Sequence, residues 1–413
     1  MNTANEIAMA GLPEPEMLPS GDERFRANAH IHLPPNFSAF SHPEEAVTLA
    51  AQQGVRVLGG SNYYDYSVYR AFADAARKAH VFPLFGLEII TLDQSLQESG
   101  IKINDPGNPG KFYVCGKGIT EFDPMNAEAQ ALLDVIRERD SERMTAMTAR
   151  LSERLMAAGG SVDLTAAGIR DTLAARYGCP AETVFLQERH VAQAIQEAIF
   201  STVSEEERPA FLERFYGAAA KGDPTRPAAV QNDIRSLLMK AGKPAYVPET
   251  FVSFEHAIRL ILALGGIPCY PALLDGANPI CGFETPVDAL TQRLLDRGFT
   301  CAELIPTRNR AEALSDYVPA LRNAGILVTA GTEHNTPERT PIVPTCLGGE
   351  PIPEPVETIF REGTCVLAAH QYRRSRGESG FVDRNGLPNP DFRTSEERIA
   401  AFRDLGQRLI SAY

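Results

Sequence analysis

From residue 44 the chain alternates amphipathic runs with short apolar ones: PEEAVTLAAQQG then VRVLGG, YRAFADAARKAH then VFPLFGLEII. Apolar positions at three- and four-residue spacing mark helices, and short apolar runs bounded by turn residues mark strands. The pairs therefore predict βα units around a parallel sheet. The rhythm returns in FEHAIRLILALGG before IPCYPALL, TPVDALTQRLLDRG before FTCAELI, and ALSDYVPALRNAG before ILVTAGTEH. Each time a glycine closes the helix and hands the chain to a strand. From about Pro124 to Gly242 strand-like text is almost absent, while Leu133, Ile136, Met144, Met147, Leu151 and Leu155 recur at helical spacing. This predicts a helical insertion at 124–242 between two barrel portions, 21–123 and 243–413. The Met and Leu stripe reads as core packing, and His190 in LQERHVAQAIQEAI as a residue on a helix face.

Composition narrows the class. A chain of 413 residues exceeds the size of one small module. Its 44% apolar and 23% charged residues are those of a globular protein, and no apolar run reaches the ~18 residues that span a bilayer, so no membrane partner is expected. Residues 1–20 lack the basic start and sustained apolar stretch of a secretory signal and read as a loose arm. The seven cysteines are scattered without CxxC spacing, an odd count that opposes a full disulfide framework and fits a reducing cytoplasm. A net charge of −13 disfavours nucleic acid, leaving a small-molecule substrate, with a homo-oligomer not opposed.

Parallel barrels carry their chemistry at the C-terminal ends of strands. The polar residues there are His30 and His32 in RANAHIHLPP, Ser61 and Asn62 in VLGGSNYYDY, Glu88 in PLFGLEIIT, Tyr270 in GGIPCYP, Glu303 in TCAELIP, Glu333 and His334 in VTAGTEHN, and His370 in CVLAAHQY. Residues two apart on a strand share a side, so both imidazoles of the His-x-His pair can converge on one cation; the alternative is two histidines hydrogen-bonded at a barrel mouth. Glu88 and the Glu333-His334 pair would add mixed nitrogen and oxygen ligands, a set suited to Zn, Mn or Fe. The segment after Glu88 is expected over the barrel mouth, where Lys111 and Lys117 either meet an anionic substrate or sit solvated on a surface hairpin. His370 and Arg373, after the apparent strand VLAAH, offer a second anion contact. His42, His80 and His256 have no such placement.

The order NAHIHLPP, GVRVLGGSNYYD, FPLFGLEII, ALGGIPCYP, GFTCAELI and GILVTAGTEHN resembles the strand motifs of the polymerase and histidinol phosphatase (PHP) superfamily, over roughly residues 21–91 and 250–340. The resemblance implies a distorted (β/α)7 TIM-like barrel, here with a large helical insertion, and puts His30, His32 and Glu88 at metal-ligand positions. The chain also departs from the pattern. Ser61-Asn62-Tyr63-Tyr64 stands where the family has Thr-Asp-His-Asp, Tyr270 replaces a histidine, and Glu333-His334 replaces the terminal Asp-x-His. One divalent metal per chain is expected rather than three, held by His30, His32, Glu88 and His334. Glu333, Glu303 and Tyr270 would be acid or base groups, with Asn62, Lys111, Lys117, His370 and Arg373 facing substrate. The implied activity is metal-dependent hydrolysis of a small anionic metabolite, phosphorylated or a sugar acid. A sugar or sugar-acid isomerase or lyase on the same barrel is the alternative, and a non-catalytic binding module the third reading.

Overall fold

The computed structural model describes residues 2–21, 24–336 and 340–413. Seven strands follow one another in order around one sheet: β1 (Arg26–Ile31), β2 (Val55–Asn62), β3 (Phe82–Leu92), β4 (Lys111–Lys117), β5 (Ile267–Ala272), β6 (Cys301–Leu304) and β7 (Leu327–Ala330). All neighbours pair in parallel except β4, which runs antiparallel to both β3 and β5. The sheet nearly closes into a barrel. Beyond β7 the chain bridges back to β1 at Ile31 and Glu333; His32 N donates to Glu333 O (2.8 Å), and Thr332 N and Glu333 N both donate to His30 O.

The helices expected from the apolar spacing form at Pro43–Gln52, Tyr69–Lys78, Phe254–Ala263, Val287–Asp296 and Ala311–Asn323. Tyr69–Lys78 shows why: Tyr69, Phe72, Ala73 and Ala76 lie on one face and are buried against the barrel. Between β4 and β5 the described chain is helical: Ala127–Ala157, Ala166–Tyr177, Glu188–Thr202, Arg208–Tyr216 and Pro227–Ile234, continued by a π-helical turn at Arg235–Met239. Met144, Met147, Leu151 and Leu155 pack there with Ile195, Phe211 and Phe215 in a core of their own, and His190 is buried on its helix, its Nδ1 accepting from Gln187 N.

Three expectations are corrected. Residues 111–117 are not a loop: KFYVCGK alternates Lys111, Tyr113, Cys115 and Lys117 on one side with Phe112, Val114 and Gly116 on the other, the period of a strand. The return from β3 is antiparallel, pairing Leu92 with Lys111 and Glu88 with Cys115, and both lysines are buried rather than solvated. VLAAH is not a strand. It lies inside the helix Glu354–Ser375, whose residues Gly363 to Tyr372 are all buried; a helix covered on every side loses the amphipathic period that would identify it. The described part of the expected loose arm, residues 2–20, is docked: Ala4–Met9 is a helix with Ala4 and Ala8 buried and Asn5 Nδ2 bonded to Thr120 O.

The second correction relocates two candidate substrate contacts. Nε2 of His370 donates to Gly265 O (2.9 Å) and its Nδ1 accepts from Phe381 N (3.0 Å). Arg373 pairs with Glu378 and covers the ring of Phe402. The same helix bonds Pro83 O and Phe85 N through Gln371, at the start of β3, whereas catalytic groups belong at strand C-terminal ends. Both residues hold the fold together.

Burial keeps the His370 ring neutral, holding its pKa well below the ordinary 6.5 at about 3. The unfolded chain therefore binds a proton that the folded chain refuses, and the stability contributed by His370 is present above pH 6.5 and declines as pH falls towards 3. His370→Ala should cost about 3 kcal/mol at pH 8 through two lost buried hydrogen bonds and a cavity. The difference from wild type should shrink below pH 6.5, as read by denaturant midpoints at pH 8 and pH 5.5.

Candidate metal centre

At the end of β1, strand alternation turns His30 and His32 to the same side, and Glu88 faces them from the C-terminal half of β3. Their Nε2 atoms lie 3.3 Å apart, and Glu88 Oε2 is 3.4 Å from His30 Nε2 and 3.3 Å from His32 Nε2. All three residues are buried. Glu88 Oε2 has no hydrogen-bond partner, while Glu88 Oε1 accepts from the Tyr63 hydroxyl at 2.7 Å. The Tyr63 ring stacks on His32 at 5.2 Å and 3°.

A second group lies beneath. Nδ1 of His30 donates to Glu303 Oε1 (2.6 Å), and the other carboxylate oxygen pairs with Lys117 Nζ (2.6 Å), which also donates to Ala29 O and Ser61 Oγ. Burial works against charge on His30, but Glu303, assisted by Glu88, raises its pKa to about 9. Glu88 is held below the usual carboxylate range, its burial outweighed by the close imidazoles of His30 and His32. Glu303 is lowered to about 2, its burial outweighed by the charges of His30 and Lys117.

The upper triangle fits one cation. A tetrahedral ion bonded at about 2.0–2.1 Å places its ligand atoms about 3.3–3.4 Å apart, whereas an octahedral magnesium at about 2.1 Å needs about 3.0 Å between neighbours. The observed edges match the tetrahedral value, and the corner supplied by Glu88 is an oxygen without a hydrogen-bond partner. His30, Cys115 and Glu303 form a second cluster of ligand atoms, but Lys117 already occupies the Glu303 oxygen. Burial, then Glu303, pushes the Cys115 thiol well up. A lysine ammonium supplies the cation there.

Above the triangle a cavity of about 490 Å³ opens between the barrel mouth and the helical segment. Its floor includes Glu88, Tyr63, Tyr113 and Lys111; its barrel rim carries Arg308, Glu333 and Asn335. Arg308 grips both oxygens of Glu333, and Asn335 Nδ2 adds a bond to Glu333 Oε2 (2.6 Å). The ammonium of Lys111 pairs with Asp105 (3.2 Å) and Glu249 (3.7 Å).

The structure divides the sequence-based candidates. His30, His32 and Glu88 converge; Glu333 and Lys111 line the cavity; Glu303 and Lys117 lie behind His30, so deeply buried that they act on it rather than on substrate. Asn62 pins the turn after β1 through both N and O of Leu33. Tyr270 points into an aromatic core with Phe112 and Phe299 and donates to the buried Glu284 (2.7 Å), which also takes Leu273 N and Leu274 N. His334 turns away from the triangle: Glu333 and His334 both have positive φ (59° and 50°), a conformation that breaks strand alternation. His334 stacks on Phe40 and bonds Thr332 Oγ1 and Thr340 O. Sequence reasoning missed Tyr63, set aside as a departure from a motif, and Arg308, whose only signal is its place just after β6.

No family model and no curated protein matches the chain. Solved structures do. A candidate metal-dependent phosphoesterase from Bifidobacterium adolescentis matches 80% of this chain and 93% of its own with a TM-score of 0.52 and 15% identity. An amidohydrolase from Chromobacterium violaceum, with bound sulfate and no metal, matches 81% and 96% with a TM-score of 0.51 and 16% identity. At such identities the likeness is one of fold.

Two tyrosines separate site from scaffold. Tyr63→Phe removes the donor that orients Glu88 and should weaken zinc binding about tenfold or more, measured against a competing chelator. Tyr270→Phe should leave that affinity unchanged while lowering stability by about 1–2 kcal/mol.

Proposed function

We propose that this chain is a metal-dependent hydrolase of the PHP type, acting on a small anionic metabolite held between the barrel mouth and the helical segment. The observation that carries the reading is the triangle of His30 Nε2, His32 Nε2 and Glu88 Oε2, with edges of 3.3–3.4 Å, of which Glu88 lines the cavity. These atoms would hold one divalent ion, with zinc favoured by the spacing. When bound, the ion supplies Lewis-acid polarisation and an activated water near neutral pH.

The remaining work belongs to the chain. Glu303 accepts from Nδ1 of His30 and so leaves Nε2 as the nitrogen that would ligate, its proton displaced by the ion, and Lys117 holds Glu303 in place. Tyr63 orients Glu88 and stacks on His32. Glu333, clamped by Arg308 at the cavity rim, takes the proton of the attacking water and returns it to the leaving group. In a phosphoester the water oxygen bonds to phosphorus as the bond to the alcohol oxygen breaks. Both named neighbours are described as hydrolases, which favours hydrolysis over isomerisation or elimination.

Elemental analysis of protein equilibrated with zinc, manganese and iron, then desalted, is expected to find one ion per chain. His32→Ala and Glu88→Ala should lose it while keeping the far-ultraviolet spectrum of the wild type. A panel of phosphorylated small metabolites should give metal-dependent phosphate release, with little turnover of p-nitrophenyl phosphate. Metal content identical in wild type and both variants, or none retained by any, would refute the reading.

A further inference from the structure

The cavity wall opposite the metal triangle belongs to the helical segment, and it concentrates positive charge that its acids do not match. Arg143, Arg189, Arg235 and Lys240 all line it. Three of them gather around one carboxylate, Glu188, which pairs with Arg143 at 2.8 Å, with Lys240 at 2.7 Å and only distantly with Arg235 at 3.9 Å. The other acid on this wall, Asp140, accepts from the Tyr64 hydroxyl, and burial raises its pKa above the ordinary carboxylate value. The chain as a whole carries a net charge of −13, so a cluster of four cations facing a cavity runs against its general balance.

Two of the four lack adequate partners. Among the described residues Arg189 has no hydrogen bond or ion pair; its guanidinium lies over the ring of Phe37 at 5.8 Å. Arg235 has a buried Nε without a hydrogen-bond partner. It opens the π-helical turn Arg235–Met239 that ends at Lys240, a distortion that often marks functional sites. Burial, then the like charge of Arg235, lowers the Arg189 pKa to about 10. Lys240 is lowered chiefly by burial, with Arg235 and Lys111 adding to it against Glu188. A cluster that repels itself and leaves guanidinium donors unpaired is relieved by an anion that accepts from them.

We infer that Arg189, Arg235 and Lys240 form an anion-binding subsite, supplied by the helical segment, that holds a phosphoryl or carboxylate group of the substrate remote from its scissile bond. Arg189 is the member closest in influence to the barrel, since Glu333, Tyr63 and Arg308 all act on its charge. The substrate class is then a small molecule with two anionic ends, one over the triangle and one on this wall. The subsite rests on the hydrolase reading only for the identity of the first end.

The test uses full-length, metal-stripped protein, in which no bound ion competes for the anion. Inorganic phosphate and malonate are titrated separately, with chloride at matched ionic strength as the reference, and binding is read by calorimetry and by the thermal midpoint. Either anion should stabilise the wild type beyond chloride; phosphate alone assigns the group as phosphoryl, malonate alone as carboxylate. Arg189→Gln and Arg235→Gln should each weaken binding about tenfold or more. Their midpoints without anion should equal or exceed that of the wild type, because a repelling charge has gone; a merely structural role predicts a lower one. His32→Ala should bind the anion like the wild type, which separates the subsite from the metal triangle. Equal anion binding by wild type and both arginine variants, or no effect beyond chloride in the wild type, overturns the proposal.

Discussion

Three charged side chains from three strands meet inside the barrel, and the candidate centre depends on their arrangement. Lys117 of β4, Glu303 of β6 and His30 of β1 form an unbroken chain of contacts, each 2.6 Å long, with almost no exposure to solvent. Buried charges are costly to desolvate, and removing one partner of such a set leaves an uncompensated ion that costs about 3–5 kcal/mol. The chain of charges is therefore tolerable only when complete. Its completion holds Nδ1 of His30 against Glu303 and so turns Nε2 towards His32 and Glu88.

Backbone features work to the same end. β4 is antiparallel, and this reversal brings Lys117 level with Gly86 while Lys111, six residues earlier, reaches the cavity. Gly331 sits where a Cβ would come within 2.3 Å of the His30 Cβ, so the close approach of the chain beyond β7 to β1 requires a residue without a side chain. The next turn places Glu333 and His334 in the left-handed region, at a cost of roughly 1–3 kcal/mol each, offset by bonds to His30 O and from His32 N and by the Arg308 fork. That turn presents Glu333 to the cavity and removes His334 from it.

What could be read from the sequence divides along physical lines. The βα rhythm gives the barrel because its helices are covered on one face only, as in Tyr69–Lys78. The convergence of His30, His32 and Glu88 is legible because strand alternation is local and strand ends are a restricted address. The helix Glu354–Ser375 was illegible as a helix because it is buried all round, and that error carried His370 and Arg373 into the site. Tyr270 and Asn62 occupy strand ends, yet their partners, Glu284 and Leu33, are set by tertiary contacts that no local spacing encodes. Arg189 and Arg235 were illegible for the opposite reason: they lie on helices, where charge normally means solvent, and only packing of the helical segment over the barrel mouth turns them to a cavity.

The central claim is that two imidazoles and one carboxylate, spaced for a tetrahedral ion, make the metal centre of this barrel. X-ray absorption at the zinc edge of stoichiometrically loaded protein tests it most directly. The account predicts a four-coordinate ion with nitrogen and oxygen neighbours at about 2.0–2.1 Å and the outer-shell scattering of two imidazoles, one of them lost in His30→Ala. A six-coordinate, all-oxygen shell, or a spectrum unchanged in that variant, would contradict it.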